Sequence, residues 1–259
     1  MEKSFYYAVG RIRGLEAKLL SGEQVARMAA ATNFESAFAV LSETIYAETL
    51  PHLTKPFDFE DLCLVERKRA SQLVKKLAPE DRFVQSFLAE DDQSLNYFKK
   101  LKSLAREYSR LLKTLINYQL DLLNLKLLLR AQSLKKDQAF LAAVLVEPGL
   151  IERASLLALL DQNPAEIAQS LSYTPYFPAL AAGLEAFASH RTFYLLEKLM
   201  ADFILAHLSQ AKYKASGIEP LIGYFLAKES ELKTIRLILV AKTSQLPTDQ
   251  IKSRLRSIY

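Results

Sequence analysis

Leu41-Ser42-Glu43-Thr44-Ile45-Tyr46 and Leu171-Ser172-Tyr173-Thr174-Pro175-Tyr176 share the pattern Leu-Ser-x-Thr-x-Tyr, 130 positions apart, and reading them as one repeated piece decides the fold. The match extends outward without a gap, since Leu20, Asn33 and Leu50 fall on Leu150, Asn163 and Leu180. A repeat at this spacing marks similar structural units recurring in one chain. Ser21 and Asn33 read as helix N-caps, and Asn163 reads as a cap followed by Pro164 at the first helical position. Each copy therefore reads as a short helix pair, Leu19–Ala31 with Asn33–Glu43 and Leu150–Leu160 with Asn163–Ser170. The Leu and Tyr of the closing hexapeptide are expected to hold that pair against a longer helix.

Longer helices are expected at Asp58–Ala78, Asp91–Leu134, Pro178–Gln210 and Glu219–Lys242, where apolar residues recur at three- and four-residue spacing. Leu104, Leu111, Leu115, Tyr118, Leu122, Leu125 and Leu129 form one such stripe. A helix over Asp91–Leu134 would run about 60 Å, so a bend or break is expected near Tyr108. Pro247, Ile251, Leu255 and Tyr259 give a weaker third echo of the second short helix and its closing tyrosine. The triplets Arg11-Ile12-Arg13, Asn124-Leu125-Lys126 and Thr234-Ile235-Arg236 precede the closing segments in the same order, each joining a polar residue, an aliphatic and a base.

The composition agrees with helices. Half of the 259 residues are hydrophobic, glycine occurs 7 times and tryptophan is absent, which leaves few of the glycine turns a sheet protein needs. The net charge of +5 is spread over 34 bases and 29 acids, so clusters such as Arg67-Lys68-Arg69, Lys75-Lys76, Lys99-Lys100-x-Lys102 and Lys135-Lys136 read as solvated helix faces. The other reading of those clusters is an approach to an acidic partner or an anionic membrane surface. Nucleic acid is not expected, because no aromatic residues interleave with a basic stripe.

The most apolar stretch, Leu111–Ala131, is interrupted by Lys113, Asn117, Asp121, Asn124, Lys126 and Arg130, so no membrane span is expected. The start, Met1-Glu2-Lys3-Ser4-Phe5, carries no apolar signal core, and the single Cys63 forms no internal disulfide, which together point to the cytosol. His52, His190 and His207 make no metal-ligand spacing with one another or with Cys63, and there is no phosphate-binding glycine loop. His207 and Cys63 read as helix and core residues. No catalytic residue, cofactor or metal site is expected.

Three ordered segments carry a family resemblance. Glu229-Ser230-Glu231-Leu232-Lys233-Thr234-Ile235-Arg236, within Glu219–Lys242, resembles the Glu-x-Glu-x-x-Asn-(Leu/Ile)-Arg pattern of the C subunits of V/A-type rotary ATPases, known as d subunits in eukaryotic V-ATPases, with Thr234 in place of the usual Asn. Tyr7–Leu20 resembles the family's first helix, and Asp121–Ala131 resembles its Asp-x-x-Asn-(Leu/Ile)-Lys…Arg-Ala helix. The resemblance spans the whole chain.

It implies an all-α, funnel-shaped protein of three similar helical units about a pseudo-threefold axis, here expected at residues 1–110, 111–190 and 191–259. It implies a non-catalytic central-stalk component of an ATPase or ATP synthase. The wide end would sit on the cytoplasmic face of the membrane proteolipid ring, and the concave end would receive the stalk tip formed by proteins similar to the family's D and F subunits. Rotation would pass through it between ATP chemistry and ion transport. Arg11, Arg13, Lys126, Arg130, Arg236 and Lys242 recur on the repeated long helices and are expected to line the funnel and accept acidic residues of the stalk. The competing reading of those bases is pairing within the fold with Glu16, Asp121, Glu229 and Glu231. The competing class is a helical-repeat adaptor holding a peptide or protein in its concave face, whose repeat period would be more even than the intervals here.

Overall fold

The computed structural model describes residues 5–55, 57–89, 95–257 and 259. In chain order its helices are α1 (Tyr6–Glu16), α2 (Gly22–Ala30), α3 (Phe34–Ala39), α4 (Phe59–Leu77), α5 (Arg82–Phe87), α6 (Leu95–Ala105), α7 (Arg110–Ser133), α8 (Gln138–Val144), α9 (Arg153–Ala158), α10 (Pro164–Ser170), α11 (Phe177–His190), α12 (Tyr194–Leu208), α13 (Glu219–Thr243) and α14 (Thr248–Arg254). Short 3-10 turns follow α3 and α12. No strand occurs among the described residues, and the fold is all-α.

The expected caps are present. Ser21 and Gln24 form a reciprocal capping box at α2, Asn33 accepts from the Ser36 amide at 2.8 Å, and Asn163 and Glu166 form a second box at α10 behind Pro164. These side chains satisfy amides that the first helical turn leaves without partners.

Several expected helices are shorter than the pattern suggested: Leu19–Ala31 is helical over Gly22–Ala30 and Leu150–Leu160 over Arg153–Ala158. α3 stops at Ala39 and tightens into a 3-10 turn, where the Ser42 hydroxyl donates to the Ala39 carbonyl at 2.7 Å and Thr44 to Leu41 at 2.6 Å. The helix expected over Asp91–Leu134 is two, α6 and α7; its first residues, Asp91–Ser94, lie outside the described set, as do Met1–Ser4. The break near Tyr108 lets that side chain turn onto α5, with its hydroxyl 3.0 Å from Asp81 and its ring 5.2 Å from Phe83. The helix expected over Pro178–Gln210 is the hairpin α11–α12, reversed where Arg191 takes a left-handed φ of 53°. Gly183 permits that hairpin to close: a Cβ there would come within 2.7 Å of the Leu196 backbone.

The chain forms two compact units. One joins Met1–Glu80 to Ser209–Tyr259. Its axis is α13, which packs against α1, α2, α3 and α4, and its core combines Val25, Met28, Phe38, Leu41, Tyr46 and Leu62 with Leu232, Ile235, Ile238, Leu239 and Ile251. Early and late segments thus build one interior, each fully buried aliphatic contributing about 1.5–3 kcal/mol. The other unit, Asp81–Leu208, is built on α7, which packs on α6, α8, α9 and α12 and buries Leu111, Leu115, Tyr118, Leu125 and Leu129 of the expected stripe.

Candidate functional site

Helices α7 and α13 each carry a carboxylate that pins a repeat copy at both of its ends. Asp121 of α7, fully buried, accepts from the Leu150 amide at 2.8 Å, from the Ile151 amide at 3.1 Å and from the Tyr176 hydroxyl at 3.0 Å. Glu231 of α13 accepts from the Leu20 amide and from the Tyr46 hydroxyl. Leu20 and Tyr46 are the counterparts of Leu150 and Tyr176 in the repeat, so the same clip is built twice. The repeated threonine has a local task, bonding the carbonyl of the leucine three residues back in both copies. Gly149 is required beside the Asp121 clip, because a Cβ there would lie 2.2 Å from the Asn117 carbonyl.

Burial raises the pKa of Asp121, and its hydrogen bonds only partly offset this. Burial and the neighbouring carboxylate push Tyr46 and Tyr176 upward, so both phenols stay protonated and act as donors.

The scaffold behind the clips also repeats, in the register that pairs the triplets Asn124-Leu125-Lys126 and Thr234-Ile235-Arg236. Residues 118–145 and 228–255 correspond at a constant interval of 110 positions. Lys135 and Gln245 both take left-handed φ angles, 51° and 53°, and the amides of Lys136 and Leu246 each return 2.9 Å to the carbonyls of Ala131 and Ala241. Helices α8 and α14 then begin at equivalent positions. This corrects the third echo: Ile251, fully buried, belongs to the counterpart of α8 and not to that of α10. In the unit of α7 the clip closes over 29 residues of chain, whereas in the unit of α13 it closes over 211, as in a permuted copy. Tyr259 packs near Glu16 of α1, whose charge, second to burial, raises the phenol's pKa.

The clips differ in one respect. Lys228 of α13, buried, lies 3.0 Å from Glu231, 3.7 Å from Glu66 of α4 and 3.9 Å from the centre of the Tyr46 ring. Tyr118 occupies the equivalent place on α7 and meets Tyr176 edge-on at 5.7 Å. One unit surrounds its clip with charge, the other with aromatic rings.

The six bases expected to face a partner are placed as follows. Arg11 is exposed on α1 and pairs with none of the described residues. Arg13 binds Glu16 at 2.6 Å and the carbonyls of Ala211 and Lys214 at 2.8 and 3.1 Å. Lys126 pairs with Glu197 at 2.7 Å, and Arg236 with Glu60 at 2.8 Å, both pairs partly open to water. Arg130 is exposed, its guanidinium 5.6 Å from the Phe193 ring centre. Lys242 is buried and donates to the Ala31 carbonyl at 2.5 Å. Arg13 thus takes Glu16, one of the acids expected for internal pairing, while Asp121 and Glu231 belong to the clips and Glu229 pairs with Arg67 at 2.8 Å.

No group of three metal-ligating side chains occurs among the described residues. Burial pushes the Cys63 thiol up to about 11, so it is protonated at neutral pH. His207 Nε2 sits 3.2 Å from the Leu111 carbonyl, and its ring packs on Tyr118. No helix of the described residues is long and apolar enough to cross a membrane.

Repeated helical units pinned by carboxylates define an all-α scaffold. The chain belongs to the ATP synthase (C/AC39) subunit family, whose model matches residues 8–94 and 90–254. It is 28% identical to the C subunit of a V-type sodium ATPase from Enterococcus hirae over 152 residues, which is 59% of this chain and 45% of that protein. It is 28% identical to the C subunit of an A-type ATP synthase from Methanobrevibacter smithii over 141 residues, or 53% of this chain and 37% of that one. The matched part is thus less than half the length of each of these relatives.

Proposed function

We propose that this chain is a non-catalytic rotor subunit of a V/A-type ATPase or ATP synthase, a socket between the central stalk and the proteolipid ring on the cytoplasmic face of the membrane. Family membership over nearly the whole chain carries this reading. The clips support it, because a part that transmits torque must resist shear between its helices. Each clip fixes two points of a short helix pair to one point of a long helix, and in each the tyrosine that closes it is buried. The funnel of three units belongs to the same proposal.

The stalk would meet bases on the long helices. Arg11, Lys126, Arg130 and Arg236 keep part or all of their surface open, whereas Arg13 and Lys242 are tied to carbonyls inside their unit. Charge reversal at Arg11, Lys126 and Arg236 should weaken binding of the purified stalk proteins and flatten its salt dependence. Unchanged affinity and an unchanged salt slope would remove these bases from the interface.

A further inference from the structure

Lys242 differs in kind from its counterpart in the other unit. At the equivalent position of α7, Gln132 donates to the carbonyls of Leu159, Leu160 and Gln162 at 3.3, 2.8 and 2.7 Å, so a neutral amide joins the end of the long helix to the turn after α9. In the unit of α13 the turn after α2 is met by a lysine that makes a single bond, to the Ala31 carbonyl. Burial lowers the pKa of Lys242, and no carboxylate acts to raise it. A buried cation is ordinarily paired. This one instead opens on a cleft of about 910 Å³ that it shares with Thr32, Thr248, Phe34, Phe59 and Glu35.

We propose that this cleft binds the phosphate group of a small organic ligand, with Lys242 as its cation. An ammonium has three donors, and Lys242 spends one on Ala31. Thr32 and Thr248 line the same space and could supply hydroxyl donors, and Phe34 and Phe59, also in the lining, could supply an apolar wall for the ligand's organic part. Glu35, the one acid of the lining, is exposed and forms no ion pair with Lys242 among the described residues. The cleft lies within a single unit, so the inference is independent of the socket and is tested on the isolated chain.

The experiment is a titration of the full chain with inorganic phosphate and with phenyl phosphate, followed by calorimetry and by the amide resonances of residues 30–35. Saturable binding is expected, tighter for phenyl phosphate. Lys242→Gln, which installs the residue the other unit uses, should fold and weaken binding by about tenfold or more, while Lys242→Arg retains it. Should Lys242→Gln fail to fold, the wild-type chain decides the matter: phosphate should protect Lys242 from acetylation by acetic anhydride, read by mass spectrometry. Absence of saturable binding, equal binding by Lys242→Gln, or undiminished acetylation would overturn the site.

Discussion

Replacing Asp121 with alanine removes three accepted hydrogen bonds at once. The Ile151 amide and the Tyr176 hydroxyl belong to residues with no exposed surface, so water cannot replace their acceptor; Leu150 is 40% exposed, and its amide can be rehydrated. Each buried donor left without a partner costs about 1–3 kcal/mol, so Asp121→Ala should destabilise its unit by about 2–6 kcal/mol. Tyr176→Phe removes one donor to a carboxylate that keeps two amides, and should cost about 1–2 kcal/mol. In the Asp121→Ala background the same substitution should cost nearly nothing, because the hydroxyl there has lost its acceptor, which gives a coupling of about 1–2 kcal/mol in a double-mutant cycle. Urea unfolding measures the free energies, and hydrogen exchange across residues 150–176 locates the loss. An Asp121→Ala variant within about 1 kcal/mol of wild type, or strictly additive substitutions, would refute the clip as the element that joins the repeat to its helix.

Asp121 also sets a pH dependence with a defined sign. Its folded pKa lies above the ordinary 3.8, so the native state binds the proton more readily than the unfolded one. The stability of wild type relative to Asp121→Asn is therefore greatest below the ordinary value and falls as pH rises through the interval up to the raised one; urea titrations from about pH 3 to pH 7 should show this slope, and a rising difference would contradict it. Gly149→Ala forces its new methyl against the Asn117 carbonyl and Asp121, and should lower the melting temperature and speed exchange at Leu150 and Ile151. Lys228→Ala leaves Glu66 and Glu231 buried without their shared cation and should cost about 3–5 kcal/mol, measured by denaturant unfolding. Cys63, its thiol pushed up to about 11, should react slowly with a disulfide reagent at neutral pH and accelerate as pH approaches that value.

What the sequence revealed was local chemistry. Ser21, Asn33 and Asn163 announce helix starts because the capping side chain and its amide are two or three residues apart. The repeated hexapeptide was visible for the same reason, and its threonine bond is local. The acceptor of Tyr46 was not visible, since Glu231 lies 185 residues away and nothing in composition marks which carboxylate a tyrosine meets. Arg191, Lys135 and Gln245 adopt left-handed turns that glycine usually announces, so the break between α11 and α12 carries no signal in the sequence. Among the bases, Lys242 and Arg236 look alike in sequence; only packing sends one to a buried carbonyl and leaves the other paired at the surface with Glu60. The register linking α7 to α13 was legible in the triplets Asn124-Leu125-Lys126 and Thr234-Ile235-Arg236, but its extension through α8 and α14 was masked, because equivalent pieces stand in different chain order in the two units.

The rotor-socket proposal is tested most directly by affinity purification of the tagged chain from its own membranes, with the bound proteins identified by mass spectrometry. Recovery of the proteolipid ring together with the central-stalk proteins, in constant proportion, is the expected result. Recovery of neither, from membranes in which the assembled ATPase is demonstrably present, would contradict it.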